Sequence, residues 1–247
     1  MKKRILIIGE VVSTTKELIE KLVHEGHEVI VASKKNVVSN IVHMKLDLVN
    51  LESVRAFLKE FNKRFAYLDV LLFQEQQEKV EHILTSEGYD PLIAMHYLSP
   101  VLISEGLKVS LKTEKYARIV YVVSETSLKG ETQNVGQLFS VSRSYSNAMR
   151  MLMMYAIYAS GKLKADHVTV NMITKPQEER GRIKKLFSKT DHHTSDDLYY
   201  LIMSDDLRFK TSKLFNGKQI MVIPQDKILK EEIHLLMRQT KKILRLQ

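Results

Sequence analysis

The chain has 247 residues, of which 44% are hydrophobic, so it is long enough for one α/β domain with a sizeable core. Lysine and arginine exceed aspartate and glutamate by 38 to 29, and the formal net charge is +9. This balance favours an anionic partner, but the chain lacks a compact basic run with interleaved aromatics, so we expect no specific nucleic-acid partner. The absence of cysteine excludes disulfides, thiolate metal sites and cysteine nucleophiles. No apolar run reaches ~18 residues, so we expect no transmembrane segment.

The start of the chain predicts a strand, a helix and a second strand. Ile5 to Ile8 is a fully apolar run, which is typical of a central parallel strand buried on both faces. Ser13 can cap a helix that begins near Thr14, and apolar residues then recur at helical spacing. Glu28 to Ala32 is the predicted second strand. A βαβ unit of this length is typical of a dinucleotide-binding half.

The alternation of strands and helices continues along the chain. Lys45 to Leu48 predicts a third strand, Leu51 to Phe65 a helix, and Asp69 to Phe73 a fourth strand. Arg118 to Ser124 is a β-branched run of strand length, and Tyr145 later opens an apolar helix. The order predicts an α/β fold with a doubly wound parallel sheet and helices on both faces.

Seven short segments, spread over nearly the whole chain, carry a family resemblance. They are Leu46 to Leu48, Leu51 to Phe57, Leu68 to Leu71, Glu87 to Pro91, Tyr97 to Ser99, Val168 to Asn171 and Lys213 to Phe215. Together they resemble the short-chain dehydrogenase/reductase family, in the branch of the retinol dehydrogenases and the WW-domain oxidoreductase. The resemblance implies a single Rossmann-type domain over residues 1–247, with about seven strands. Residues 174–200, where the family carries its substrate lid, are short here.

In this family the turn after the first strand binds the cofactor pyrophosphate. It needs glycines, because they adopt positive φ and let backbone N–H groups approach the phosphates. Here the turn runs from Ile8 to Thr15 and keeps Gly9, while Ser13 and Thr15 replace the other two glycines. Glu10 adds a charge that would cost about 1–3 kcal/mol beside a phosphate. The turn is therefore either a weak cofactor contact, through Gly9 and Ser13, or merely a tight connection.

The adenine side of the cofactor site is better preserved. Lys34 falls where this branch often has a basic residue, which would favour a 2′-phosphate and hence NADP(H), and Lys35 supports it. Asp47 matches the position that hydrogen-bonds the adenine edge. The alternative is that both lysines belong to a solvated strand end. The family's Asn-Asn-Ala-Gly loop is replaced by Phe73 to Gln76, so we expect large side chains at the cleft, and its Pro-Gly aligns with Pro176-Gln177.

The resemblance also implies the catalytic positions. Ser124 and Tyr145 match the serine that positions the substrate oxygen and the tyrosine that donates a proton to the carbonyl. The family's lysine, four residues after the tyrosine, is Met149 here, and its asparagine, which helps hold a water, is His96. A tyrosine without the lysine has a pKa of about 10 and is a poor acid at neutral pH. We therefore expect Ser124 and Tyr145 to be vestigial, and His96 to be structural.

Two other clusters have simpler interpretations. Asp191-His192-His193 contains adjacent histidines that point different ways on any regular element, so we expect no metal site. A methionine-rich run lies on the helix that packs against a partner subunit in the family, and we expect core or interface packing for it. The run comprises Met149, Met151, Met153 and Met154.

The losses along the cofactor cleft predict a non-catalytic relative that serves as a scaffold or accessory subunit in an oligomer or larger, possibly mitochondrial, assembly. The apolar helix that carries Met153 and Tyr155, together with the basic surface, would supply the contacts. No cofactor is expected, or NADP(H) bound weakly. One alternative is an NADPH-dependent carbonyl reductase or alcohol dehydrogenase using Ser124 and Tyr145. Another is an NADP(H)-binding regulator without turnover. The sequence does not decide between a mitochondrial and a cytoplasmic location.

Overall fold

The computed structural model describes residues 2–36, 38–74, 83–112, 116–128, 145–175, 194–223 and 228–246. Its strands are β1 (Arg4–Ile8), β2 (Glu28–Ser33), β3 (Val42–Lys45), β4 (Val70–Phe73), β5 (Arg118–Ser124), β6 (Thr169–Lys175), β7 (Leu214–Asn216) and β8 (Gln219–Met221). In this part of the chain they form one sheet in the order β3-β2-β1-β4-β5-β6-β7-β8. The first seven are parallel and β8 runs antiparallel to β7. The predicted doubly wound sheet is confirmed, with eight strands instead of about seven.

Helices cover both faces of the sheet. They are α1 (Ser13–His24), α2 (Leu51–Arg64), α3 (Pro91–Ile93), α4 (Ser99–Gly106), α5 (Lys108–Lys112), α6 (Tyr145–Leu163), α7 (Ser195–Met203) and α8 (Lys230–Leu244). A five-residue π-helical turn, Ala94–Leu98, joins α3 to α4. α1 and α7 cover one face, while α2, α4, α6 and α8 build the core on the other. Every residue of β5 is buried, as expected for a central parallel strand.

Several boundaries differ from the sequence prediction, most by a single residue, and two of the differences concern the candidate site. α1 begins at Ser13 itself, and the extended residue Val12 takes the N-cap position, where its apolar side chain makes no capping hydrogen bond. β3 ends at Lys45, so Asp47 lies in the loop beyond it and not inside a strand. There the Asp47 backbone N–H donates to Ser53 Oγ at 3.0 Å, which ties the loop to α2.

The C-terminal helix α8 lies over α6 and shields it. Tyr97 Oη and Thr240 Oγ1 are 2.6 Å apart, and Arg150 forms a 3.3 Å ion pair with Glu232. All four methionines of the methionine-rich run are buried within the chain, and so is Tyr155. α8 and the sheet cover Met153 and Tyr155, so a partner that contacts this helix would have to use its other residues. No helix in the described ranges is long and apolar enough to cross a membrane.

Candidate functional site

The strand order creates a crevice at the carboxyl ends of β1 and β4. The chain leaves β1 toward β2 and β3 on one side, and returns to β4 and β5 on the other. This reversal is the position at which doubly wound sheets bind ligands. The crevice is flanked by Gly9 after β1, Lys34 after β2, Gln74 after β4 and Ser124 at the end of β5.

The turn between β1 and α1 keeps one glycine for a conformational reason. Gly9 has a φ of 121°, in the region that favours glycine, and its N–H donates to the Ala32 carbonyl at 2.9 Å. Ser13 is exposed at the start of α1, whereas Thr15, one of the two residues in glycine positions, is fully buried. The retained glycine thus serves the β1–β2 connection directly.

Gln74 and Thr15 make a hydrogen bond across the crevice. The Gln74 side-chain amide donates to Thr15 Oγ1, and the Gln74 backbone N–H donates to the Ile8 carbonyl at 2.9 Å. Both side chains are buried. The bond joins the end of β4 to the first turn of α1, between the β2 side of the crevice and the side that holds Ser124. A pyrophosphate that passes between these two sides would meet both side chains.

A small pocket lies on the β2 side of this bond. It contains about 290 Å³ of space, including its open mouth, and its lining is Gly9, Glu10, Ala32, Ser33, Lys34, Leu46, Asp47, Leu48 and Met95. Lys34 Nζ lies 3.4 Å from Asp47 Oδ2, and Asp47 Oδ1 accepts from the Val49 N–H at 3.0 Å. Lys35 is exposed, and its carbonyl accepts from Ser33 Oγ at 2.7 Å. The two groups expected on the adenine side therefore contact each other.

Of the residues at the expected catalytic positions, His96 and Tyr145 contact each other on the β5 side of the crevice. Ser124 is buried at the end of β5, and Tyr145 is the first residue of α6. His96 is buried in the π-helical turn, and its ring centroid lies 5.0 Å from that of Tyr145 at an interplanar angle of 83°. Single π-helical turns are frequent at functional sites. Met149 is only 1% exposed and belongs to the core, so no charge stands one turn beyond Tyr145 at this position.

The first residue of the replaced loop, Phe73, faces the core. Its ring stacks on Tyr121 at 4.8 Å and 14°. Strand alternation explains this, because Phe73 shares the face of Leu71 and lies against the helices. Glu75, Gln76, Pro176-Gln177 and the Asp191-His192-His193 cluster lie outside the described residues. Within those residues no group of three or more His, Cys, Asp or Glu side chains could hold a metal.

A buried polar network lies beneath the site and was not predicted. Tyr121 Oη and Ser104 Oγ are 2.6 Å apart, and Tyr155 Oη donates to Glu105 Oε1 at 2.9 Å. Burial raises the pKa of Tyr121 and of Tyr155, so neither phenol can serve as an acid–base group near neutral pH. The sequence signal was the adjacent polar pair Ser104-Glu105 within an apolar helix.

The chain has recognisable relatives among known proteins. It is similar to retinol dehydrogenase 14 of Homo sapiens, with 27% identity over 140 residues, which are 55% of this chain and 42% of that protein. It is 21% identical to mouse (Mus musculus) retinol dehydrogenase 13 over 196 residues, 70% of this chain and 59% of that protein. The chain thus spans about two-fifths to three-fifths of these curated relatives. No family model matches it.

Solved structures share the fold. An uncharacterized protein from Mycobacterium paratuberculosis superposes with a TM-score of 0.75 at 17% identity, over 98% of this chain and 93% of that one. A 4-hydroxyisoleucine dehydrogenase complexed with NADH gives 0.67 at 18% identity, over 87% and 96%. In its strand order, in the positions of Ser124 and Tyr145 and in its matches to retinol dehydrogenases, the chain is similar to the short-chain dehydrogenase/reductase family.

Proposed function

We propose that this chain is a non-catalytic member of the family, serving as a scaffold or accessory subunit of a larger assembly. The observation that carries the proposal is the buried hydrogen bond from Gln74 to Thr15 across the crevice. A dinucleotide would have to break this bond and displace both side chains before its phosphates could reach the α1 N-terminus. Glu10 lines the small pocket on the β2 side of this bond, where its carboxylate would repel a phosphate.

The side of the crevice that holds Tyr145 supports the same proposal. Met149 offers no charge to lower the pKa of a neighbouring tyrosine, and its side chain packs into the core. In the adenine-side pocket, the ion pair between Lys34 and Asp47 must reorganise before either group can hold a nucleotide. Any NADP(H) binding is therefore weak and confined to this side.

One observation favours a second candidate, an NADPH-dependent carbonyl reductase or alcohol dehydrogenase. His96 lies edge-on against Tyr145, so the tyrosine has an ionisable neighbour although the lysine is missing. The curated relatives are named retinol dehydrogenases, and a solved relative binds NADH. In such an enzyme Tyr145 would protonate the carbonyl, and Ser124 would position it.

A partner would have to contact residues other than the buried methionine-rich run and Tyr155. The methionine-rich run is buried, so the assembly contacts must come from exposed residues. The net charge of +9 suits an acidic partner. Such a partner could belong to a mitochondrial or to a cytoplasmic assembly.

A turnover assay separates these functions. Purified protein is mixed with NADPH or NADH and all-trans-retinal, or with NADP⁺ or NAD⁺ and retinol, and the cofactor absorbance is followed. We expect no rate above that of the Tyr145→Phe variant. Turnover by the wild-type chain that Tyr145→Phe abolishes would establish the reductase instead, and tight binding without turnover would establish the regulator.

A further inference from the structure

A group of cations lies at the end of the sheet opposite the crevice. Lys3 precedes β1, Arg118 begins β5, and Arg208 follows the short helical turn after α7. Burial lowers the pKa of Lys3, and the nearby charge of Arg118 lowers it further. Burial also lowers the pKa of Arg118, and the positive charge of Arg208 lowers that pKa further. The three like charges therefore lie close enough to oppose one another.

Arg118 is a buried cation with few partners. Its side chain is 3% exposed, its Nη1 donates to the Leu201 carbonyl at 3.3 Å, and its Nε is buried without a hydrogen-bond partner. Asp205 attracts it at longer range, but no carboxylate of the described residues forms an ion pair with it. A guanidinium has five N–H donors, and buried charges in proteins are normally paired.

A second unpartnered group lies directly beside it. Thr169 is the register partner of Arg118 on β6, and its Oγ1 is also buried without a hydrogen-bond partner. Both side chains share the sheet face of Val120 and Ile173, beneath α7. Polar atoms without a hydrogen-bond partner on two neighbouring residues, one of them a cation, have the chemistry of a site for an oxyanion.

We propose that this end of the sheet binds a phosphate group, held by Arg118 Nε and Thr169 Oγ1 with charge from Lys3 and Arg208. Phosphate fits better than a carboxylate because its second negative charge offsets more than one cation. Its oxygens can also accept hydrogen bonds from a guanidinium and from a hydroxyl. The carboxylates of Asp69 and Asp205 also act on Lys3 and offset part of the positive charge at this end of the sheet. The site is independent of the crevice and of the proposed function.

Calorimetric titration with sodium phosphate, against sodium chloride at equal ionic strength, tests the site. The wild-type chain should bind one phosphate saturably. Arg118→Met should weaken this roughly 10- to 100-fold, because a charged hydrogen-bond donor is lost. Thr169→Val, which keeps the shape, should also weaken it, and the exposed control Arg55→Met should leave it unchanged.

Two results would overturn the proposal. One is the absence of saturable phosphate binding by the wild-type chain, which would mean that water satisfies the two atoms. The other is an equal affinity for phosphate in the wild-type, Thr169→Val and Arg208→Met proteins. These two variants provide the test if Arg118→Met does not fold. Titration with O-phosphoserine in parallel shows the source: equal affinity indicates a phosphate ester, and binding of inorganic phosphate alone indicates the free ion.

Discussion

Gln74 donates its side-chain amide to Thr15 Oγ1, which ties the end of β4 to the first turn of α1. The two residues are 59 positions apart and occupy places where the family has an asparagine and a glycine. Thr15 Oγ1, which is fully buried, accepts its hydrogen bond from Gln74. The bond lies at the point where we propose that a cofactor would have to cross the crevice.

This relationship predicts measurable coupling between the two residues. Gln74→Ala should lower the free energy of unfolding by about 1–3 kcal/mol, because Thr15 Oγ1 is left buried without its donor. Thr15→Val, which keeps the shape, should cost less once Gln74 has been removed. Urea denaturation of both single variants and the double variant should give a coupling energy of about 0.5–1.5 kcal/mol. Additive effects, within about 0.3 kcal/mol, would show that the bond does not form.

Restoring the family lysine should fail to restore activity. Met149 is 1% exposed, so Met149→Lys places an ammonium group in an apolar core. We expect a loss of at least about 3 kcal/mol in the free energy of unfolding and no turnover with NADPH. Met149→Leu is the control and should cost less than about 1.5 kcal/mol. A folded, active Met149→Lys protein would show that only the last catalytic group had been lost.

The cover formed by α8 can be tested with two adjacent leucines. Leu236 is fully buried against α6, whereas Leu235 is 44% exposed on the same helix. Leu236→Asp should cost about 3–5 kcal/mol and release α8, which would expose the methionine-rich run and increase binding of a hydrophobic dye. Leu235→Asp should stay within about 0.5 kcal/mol of wild type. Equal effects of the two substitutions would mean that α8 does not pack as described.

Stability should fall in mild acid through His27. Its Nδ1 accepts from the Lys3 backbone N–H at 3.1 Å, and burial lowers its pKa, although Glu25 opposes this. The unfolded chain then takes up the proton first, so stability is complete above pH ~6.5 and falls as the pH drops below that value. His27→Asn should flatten the dependence of the unfolding free energy between pH ~7.5 and ~5. The exposed His24→Asn is the control, and an equal slope in both variants would exclude this role.

The sequence predicted the strands well because each central strand is an apolar run with one physical interpretation. Arg118–Ser124 forms β5 with the predicted bounds. The contacts of the residues that face the crevice were harder to predict, because local sequence patterns do not indicate contacts between positions far apart in the chain. Thr15 and Gln74 were each recognised as changes, but their bond depends on the placement of α1 against β4. The contact of His96 with Tyr145 likewise depends on the π-helical turn, which no propensity signals.

The burial of the methionine-rich run could not be predicted from α6 alone. A helix that is apolar around most of its circumference fits a subunit interface and a fully covered core helix equally well. The covering element, α8, lies more than 60 residues further along the chain. Only the tertiary contacts of Tyr97 and Arg150 with α8 decide between the two cases.

The central claim is that the crevice does not seat a dinucleotide, and a titration of the wild-type chain with NADPH, followed by nicotinamide fluorescence, tests it most directly. We predict no saturable binding up to about 1 mM, which corresponds to less than about 4 kcal/mol of binding free energy. A catalytically active short-chain dehydrogenase serves as the positive control. A Kd below about 10 μM would contradict the account, because it would require the bond from Gln74 to Thr15 to open readily.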